Sequence, residues 1–118
     1  MRNDTTVSLS DGQKSFSVNA QNVSLKEATA SGAFTITAYY EDVDTTGGAA
    51  STTLPSANSV VPGTTYVFTD YRFNSLINNI TISAAGGDTC GNASSCVLNS
   101  NGESITVHSD GINEWIRN

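Results

Sequence analysis

Positive charge is scarce in this chain. Five of its 118 residues are Lys or Arg, against eleven Asp and Glu, for a formal net charge of −6. Arg2, Lys14, Lys26, Arg72 and Arg117 are scattered along the chain. They form no basic stripe that could neutralise phosphates, so no nucleic-acid partner is expected. No apolar run approaches the roughly 18 residues that a membrane-crossing helix needs, so no membrane insertion is expected either. Charged residues of all kinds make up only 14% of the chain, which does not suit long surface helices. One His and two Cys leave a tetrahedral zinc shell one ligand short within a single chain, so the expectation is no metal and no cofactor.

What the chain does have is Ser, Thr and Asn, roughly a third of all residues. That composition suits short strands joined by polar turns. The length fits a single β domain over residues 1–118. After Met1 comes the polar run Arg2 to Thr6, which does not read as a signal peptide and predicts synthesis in the cytosol. The Asn-x-Ser/Thr matches at Asn3, Asn22, Asn79 and Asn92 are what chance supplies in such a composition.

Alternation of apolar and polar residues predicts about nine short strands and no substantial helix. Val7 to Val18, turning at Asp11-Gly12, reads as a hairpin, and Val23 to Leu25 as a short strand. Lys26 to Ala28 could make one helical turn that nothing sustains. Phe34 to Tyr40 is the best strand of the first half, followed by an acidic loop, Glu41 to Asp44. Thr52 to Pro55 reads as an edge strand, because Pro cannot donate to a ladder. Val60 to Gly63 reads as a turn, with Pro62 presetting φ. Thr65 to Thr69 and Asn79 to Ser83 are strands, Tyr71 to Asn78 is a connection, and Gly86 to Asp88 is a turn. The fold class expected is all-β, an antiparallel β-sandwich or jelly-roll-like barrel.

The last hairpin organises the rest. Ser104 to Ser109 leads through Asp110-Gly111 to a return strand carrying the single Trp115. A two-residue loop at Asp110-Gly111 would place Trp115 on the polar face. One extra loop residue sets Val107 opposite Trp115 and His108 opposite Glu114, so a three-residue loop or a bulge is predicted.

From Thr52 onward the chain resembles a module of bacteriophage and other virus structural proteins. The resemblance rests on Thr53-Leu54-Pro55, Val61 to Phe68, Asn78 to Ile82, Ala85 to Thr89, Asn101 to Val107, and Ser109-Asp110-Gly111 with Trp115. It covers residues 52–116; residues 1–50 carry no recognisable likeness. It implies a small β domain, often trimeric, in tail fibres, spikes and other exposed virion parts, without catalytic residues. Two departures stand out. Glu114 looks like an insertion before Trp115, and Cys90 and Cys96 replace an apolar and an aromatic residue.

Several constellations could carry chemistry. Cys90 and Cys96 are the disulfide candidate, closing a small loop, with two free thiols as the alternative. His108 lacks a nucleophile elbow and reads as a strand-surface residue. Glu41, Asp42 and Asp44 have the density for calcium but lack an EF-hand order, so a solvated loop is expected. Asp88 and Asp110, each beside Gly, read as turn residues. Phe34, Tyr66, Phe68 and Trp115 are expected in the core, while one of Tyr39 and Tyr40 must face away from it and could stack on a sugar.

The combined expectation is a non-enzyme at the virion surface, made in the host cytoplasm. With no coiled-coil heptads and no shaft repeats, the expectation is a capsid decoration (cement) protein that stabilises the shell, trimeric as the resemblance implies. Its expected partners are itself and the major capsid protein. The alternative is the receptor-binding tip of a tail fibre or spike, with a host surface glycan as partner.

Overall fold

A computed structural model describes residues 27–118. The hairpin expected over Val7–Val18 and the strand at Val23–Leu25 lie outside the described residues. The described chain is all-β, with nine strands in two facing sheets and one turn of 3-10 helix, Ala57–Ser59. The strands are β1 (Glu27–Ala30), β2 (Tyr40–Val43), β3 (Ala50–Thr53), β4 (Thr65–Asp70) and β5 (Ile80–Ser83). They continue with β6 (Thr89–Cys90), β7 (Ser95–Leu98), β8 (Ser104–Ser109) and β9 (Glu114–Arg117). The larger sheet has the order β1-β2-β4-β8-β9-β6, and the smaller β3-β5-β7.

The pairing is mixed, where an antiparallel arrangement was expected. β1 with β2, β2 with β4, β3 with β5, and β6 with β9 are parallel. β4 with β8, β8 with β9, and β5 with β7 are antiparallel. The reason lies in the connections. From β2 to β5 the chain alternates between the two sheets, so each strand meets the next strand of its own sheet after a full circuit, running the same way. A direct hairpin would have reversed it. The alternation of apolar and polar residues is the same in either case, which is why the sequence pattern does not distinguish them.

The inward faces close a continuous core. Val43, Phe68, Ile105, Val107 and Trp115 from the larger sheet meet Ala50, Ile80, Ile82 and Leu98 from the smaller, with Leu54 and Ala57 between. Fully burying an aliphatic or aromatic side chain of this size is worth roughly 1.5–3 kcal/mol relative to exposure. Phe34, Ile36 and Tyr66 pack partly buried against this core. Phe34 to Tyr39, however, is not a strand. Extended pairing begins only at Tyr40 and runs through the acidic residues. Glu27 to Ala30 is likewise a strand rather than a helical turn.

Candidate interaction surfaces

β4 and β8 form the central ribbon, paired from Thr65 opposite His108 to Thr69 opposite Ser104. Six residues of strand span about 20 Å. Each end of the ribbon is closed by an aspartate whose carboxylate collects backbone N–H groups. At one end the aspartate is Asp70, at the other Asp110.

The Asp110 end is the predicted hairpin, with a corrected register. Trp115 lies opposite Ser109, Ile116 opposite His108 and Arg117 opposite Val107. Val107 therefore does not face Trp115, and His108 does not face Glu114. The cause is Asp110 itself. Its Oδ1 accepts from the N–H of Ile112 (2.8 Å), Asn113 (3.0 Å) and Glu114 (3.1 Å). Its own N–H donates to the Glu114 carbonyl at 3.0 Å. Asp110 thus closes the ladder, and the loop is Gly111-Ile112-Asn113. The sum of paired residue numbers changes by two, an even slip, so Trp115 keeps the face it shares with Val107 and is fully buried. Gly111 is essential here: its φ is +80°, and a Cβ would stand 2.5 Å from Pro62 Cγ. Pro62 belongs to the predicted turn, in which Thr64 N–H donates to Val61 O at 3.0 Å and Gly63 takes φ +90°. Val61 and Ile112 stand out from this end, 75% and 68% exposed.

The Asp70 end was not visible from local motifs. Asp70 is fully buried and accepts from the N–H of Asn74 (3.2 Å), Ser75 (2.9 Å) and Gly102 (3.0 Å). Burial pushes its pKa up, but the N–H groups of Gly102, Ser75 and Asn74 outweigh it, and the net shift is downward. The clasp is reinforced on all sides. Ser75 Oγ donates to Ser100 O at 2.6 Å, and Leu76 N–H donates to Asn101 Oδ1 at 3.0 Å. The side-chain amides of Asn74 and Asn78 both donate to Thr45 O, at 3.0 and 2.8 Å. The loop from Tyr71 to Asn78 is therefore pinned, yet it holds Phe73, Leu76 and Ile77 outward at 65%, 65% and 78% exposure, with Tyr71 beside them. Phe73 takes a left-handed φ of +58°, which an aromatic residue adopts only when its surroundings enforce it. A signal for Asp70 did exist: it shares parity with Tyr66 and Phe68, so extending β4 by one residue points it inward.

Cys90 and Cys96 form a disulfide with a Cα separation of 5.7 Å. Because Cys90 lies on β6 and Cys96 on β7, the bond clips the two sheets together. By the chain-entropy estimate a loop this short gains about 2 kcal/mol. Glu114, the apparent insertion, serves the same corner: its carboxylate accepts from Asn92 N–H at 3.0 Å and from the Thr89 hydroxyl.

The acidic run does not converge on one place. Glu41 is buried, and its Oε2 accepts from the N–H of Thr37 (2.9 Å) and Ala38 (3.0 Å). Asp42 lies on the outer face of the larger sheet, where it holds the carboxyl of Glu27 above its usual range by hydrogen bond and charge. Asp44 accepts from Thr46 N–H (2.9 Å) and Thr46 Oγ1 (2.7 Å). This corrects the solvated-loop expectation, because each carboxylate is committed to a different structural task or face. His108 lies on the outer face between Thr65 and Ile116, neither of which is a carboxylate. Asp88 accepts from Ala57 N–H at 2.8 Å and so anchors the 3-10 turn as well as its own. Among the aromatics, Tyr66 links Tyr39 (5.7 Å between centroids, stacked) to Trp115 (5.5 Å), whose Nε1 donates to Pro55 O at 3.0 Å. Tyr39 and Tyr40 are both exposed.

No known family model matches the chain, and no curated protein matches it.

Proposed function

We propose that the protein is a non-enzymatic structural component of a virion surface, a trimeric capsid decoration protein made in the host cytoplasm that bridges neighbouring capsid subunits. The observation that carries this reading is the pair of apolar ends. Val61 and Ile112 project at one end of the central ribbon, and Tyr71, Phe73, Leu76 and Ile77 at the other. A bridging protein needs separated adhesive ends on a stiff body, and exposed apolar clusters on pinned loops are suited to binding because little entropy is lost on contact. The commitment of Glu41, Asp70, Asp110 and Glu114 to backbone N–H groups supports a structural rather than a chemical role for the carboxylates.

The test is copy number per particle, by quantitative mass spectrometry of purified virions against the major capsid protein. A ratio of one to one, or one to a few, is expected. A handful of copies per particle would remove the decoration reading. It would favour the tip of a fibre or spike, for which the exposed Tyr39 and Tyr40 rings offer a platform for a host surface glycan.

A further inference from the structure

We infer that Cys90 and Cys96 are a redox latch: the fold sets the two sulfurs side by side before they are bonded, and oxidation then locks the β6 edge of the larger sheet. The latch goes beyond the decoration reading and does not depend on it. Each cysteine is placed by a ladder of its own. Cys90 lies opposite Trp115 in the parallel β6–β9 pair, and Cys96 lies opposite Ile82 in the antiparallel β5–β7 pair. Backbone bonds close the turn between them. Cys90 N–H donates to Ala93 O at 2.7 Å, Ala93 N–H to Cys90 O at 3.1 Å, and Ala84 N–H to Ser94 O at 3.0 Å. None of these bonds involves a sulfur.

Of the two strands that carry the cysteines, β6 is the one built to open. It is two residues long and stands at the end of its sheet, with β9 as its ladder partner. β7 is four residues long and paired with β5 at every position. Thr89 N–H donates to Asn113 O at 3.0 Å and Gly91 N–H to Trp115 O at 2.9 Å. Glu114 adds a tie on each side of Cys90, through the Thr89 hydroxyl and the Asn92 N–H. Both cysteines are buried, 1% and 2% exposed, so a reagent reaches a sulfur only when this edge lifts. Glu114 is therefore the keeper of the latch, since its two ties must part before Cys90 moves.

Closing the latch removes two electrons and two protons from the thiols. A small disulfide such as oxidised glutathione accepts them. The Cys90 thiolate attacks one of its sulfurs, and the first glutathione leaves as a thiolate. The Cys96 thiolate then attacks the mixed disulfide at Cys90 and displaces the second. Each leaving thiolate takes up the proton that a cysteine gave up. A reducing cytosol keeps the pair as thiols, and an oxidising exterior closes it. A cross-link over so short a loop favours the folded chain by about thirtyfold. Oxidation thus hardens a fold that already exists.

The experiment compares the oxidised full chain with the same chain reduced by dithiothreitol. The reduced chain is expected to keep its circular dichroism spectrum and its Trp115 fluorescence, with a folding equilibrium about thirtyfold lower by urea titration. Oxidised glutathione should then close the bond with no change of spectrum, read by mass spectrometry as the loss of two hydrogens. In native buffer, Glu114→Ala is expected to speed reduction of the oxidised chain at least tenfold. If that variant unfolds, Thr89→Val, which removes one of the two ties, is expected to give a smaller acceleration. A reduced chain that unfolds would show that the bond builds the fold, and overturns the inference. Reduction with the same urea dependence as global unfolding also overturns it, because the edge then has no opening of its own. Equal reduction rates in the wild type and both variants overturn the role of Glu114. Copy number per virion bears on the decoration reading alone, so the two readings fail separately.

Discussion

The two ends of the β4–β8 ribbon use one device in two settings. Asp70 and Asp110 each gather three backbone N–H groups on one carboxylate. The partners of Asp110 all lie within four residues, so its clasp shapes a single loop. Asp70 also reaches Gly102, 32 positions away, so its clasp ties two loops together and does so out of contact with water. A local clasp fixes register. A long-range buried clasp holds tertiary structure, and its loss cannot be made good by solvent.

Removing each clasp would sharpen that contrast. Asp70→Ala strands one buried and two part-buried N–H groups and is expected to cost about 3 kcal/mol. Urea unfolding followed by Trp115 fluorescence would measure it, and a loss below about 1 kcal/mol would show that the buried clasp is dispensable. Next comes Gly111→Ala, which combines a positive φ with the Pro62 contact and should cost about 2 kcal/mol. If its urea midpoint matches the wild type, the Asp110 end is more pliant than described.

Acid should act on the same two carboxylates. Asp70 and Asp110 both have pKa values below the ordinary carboxylate range, Asp110 because Ile112, Glu114 and Asn113 donate to it. Their contribution is therefore fully present above the unfolded-state value near 4 and is lost as pH falls through the lower folded-state values. Glu27 is raised by Asp42 and works in the opposite direction, favouring the folded state as pH falls through its folded value. A stability profile by urea titration should therefore fall below about pH 4, and Asp70→Asn should flatten that fall. An equally steep fall in Asp70→Asn would place the acid sensitivity elsewhere. The smallest effect is expected for Asp110→Ala. Its exposed loop can recruit water, so amide exchange at Ile112 and Asn113 should quicken while the global midpoint barely moves. A midpoint loss equal to that of Asp70→Ala would erase the difference between the ends.

What could be read in advance follows the same division. The Asp110-Gly111 hairpin, the Val61–Thr64 turn and the inward face of Trp115 are written in residues a few positions apart. Even there, the predicted loop starts one residue early, because Asp110 reads as a turn residue while its backbone N–H, bonded to the Glu114 carbonyl, makes it the last rung. The disulfide candidate was legible for the same reason, with both cysteines six residues apart. The tie from Asp70 to Gly102 and the parallel pairings are not legible, since those partners come from distant parts of the chain. Nor is the role of Glu41, since the Thr37 and Ala38 that donate to it read as strand residues. Parity was the available hint: Glu41 alternates with Val43, and Asp70 with Phe68, so both carboxylates sit at inward positions. Tyr71–Asn78 reads as a plain connection, because nothing in its sequence reveals that Asp70, Asn74 and the distant Asn101 use up its backbone donors and leave its apolar side chains outside.

The circuit between sheets also sets a direction in time. β2 pairs with β4, β4 with β8, and β3 with β5, so each early strand waits for one synthesised later. β8–β9 and β5–β7 close between near neighbours in the later half of the described chain, and β1–β2 does so at its start. The central ribbon therefore cannot form until β8 is made. The β8–β9 hairpin, carrying the fully buried Trp115, then completes the core. A fold with so many distant pairings belongs among the slower classes of β protein. Removing β9 with Trp115 should unfold the domain, and pulse proteolysis of stalled nascent chains would show resistance arising only once β9 has cleared the exit tunnel.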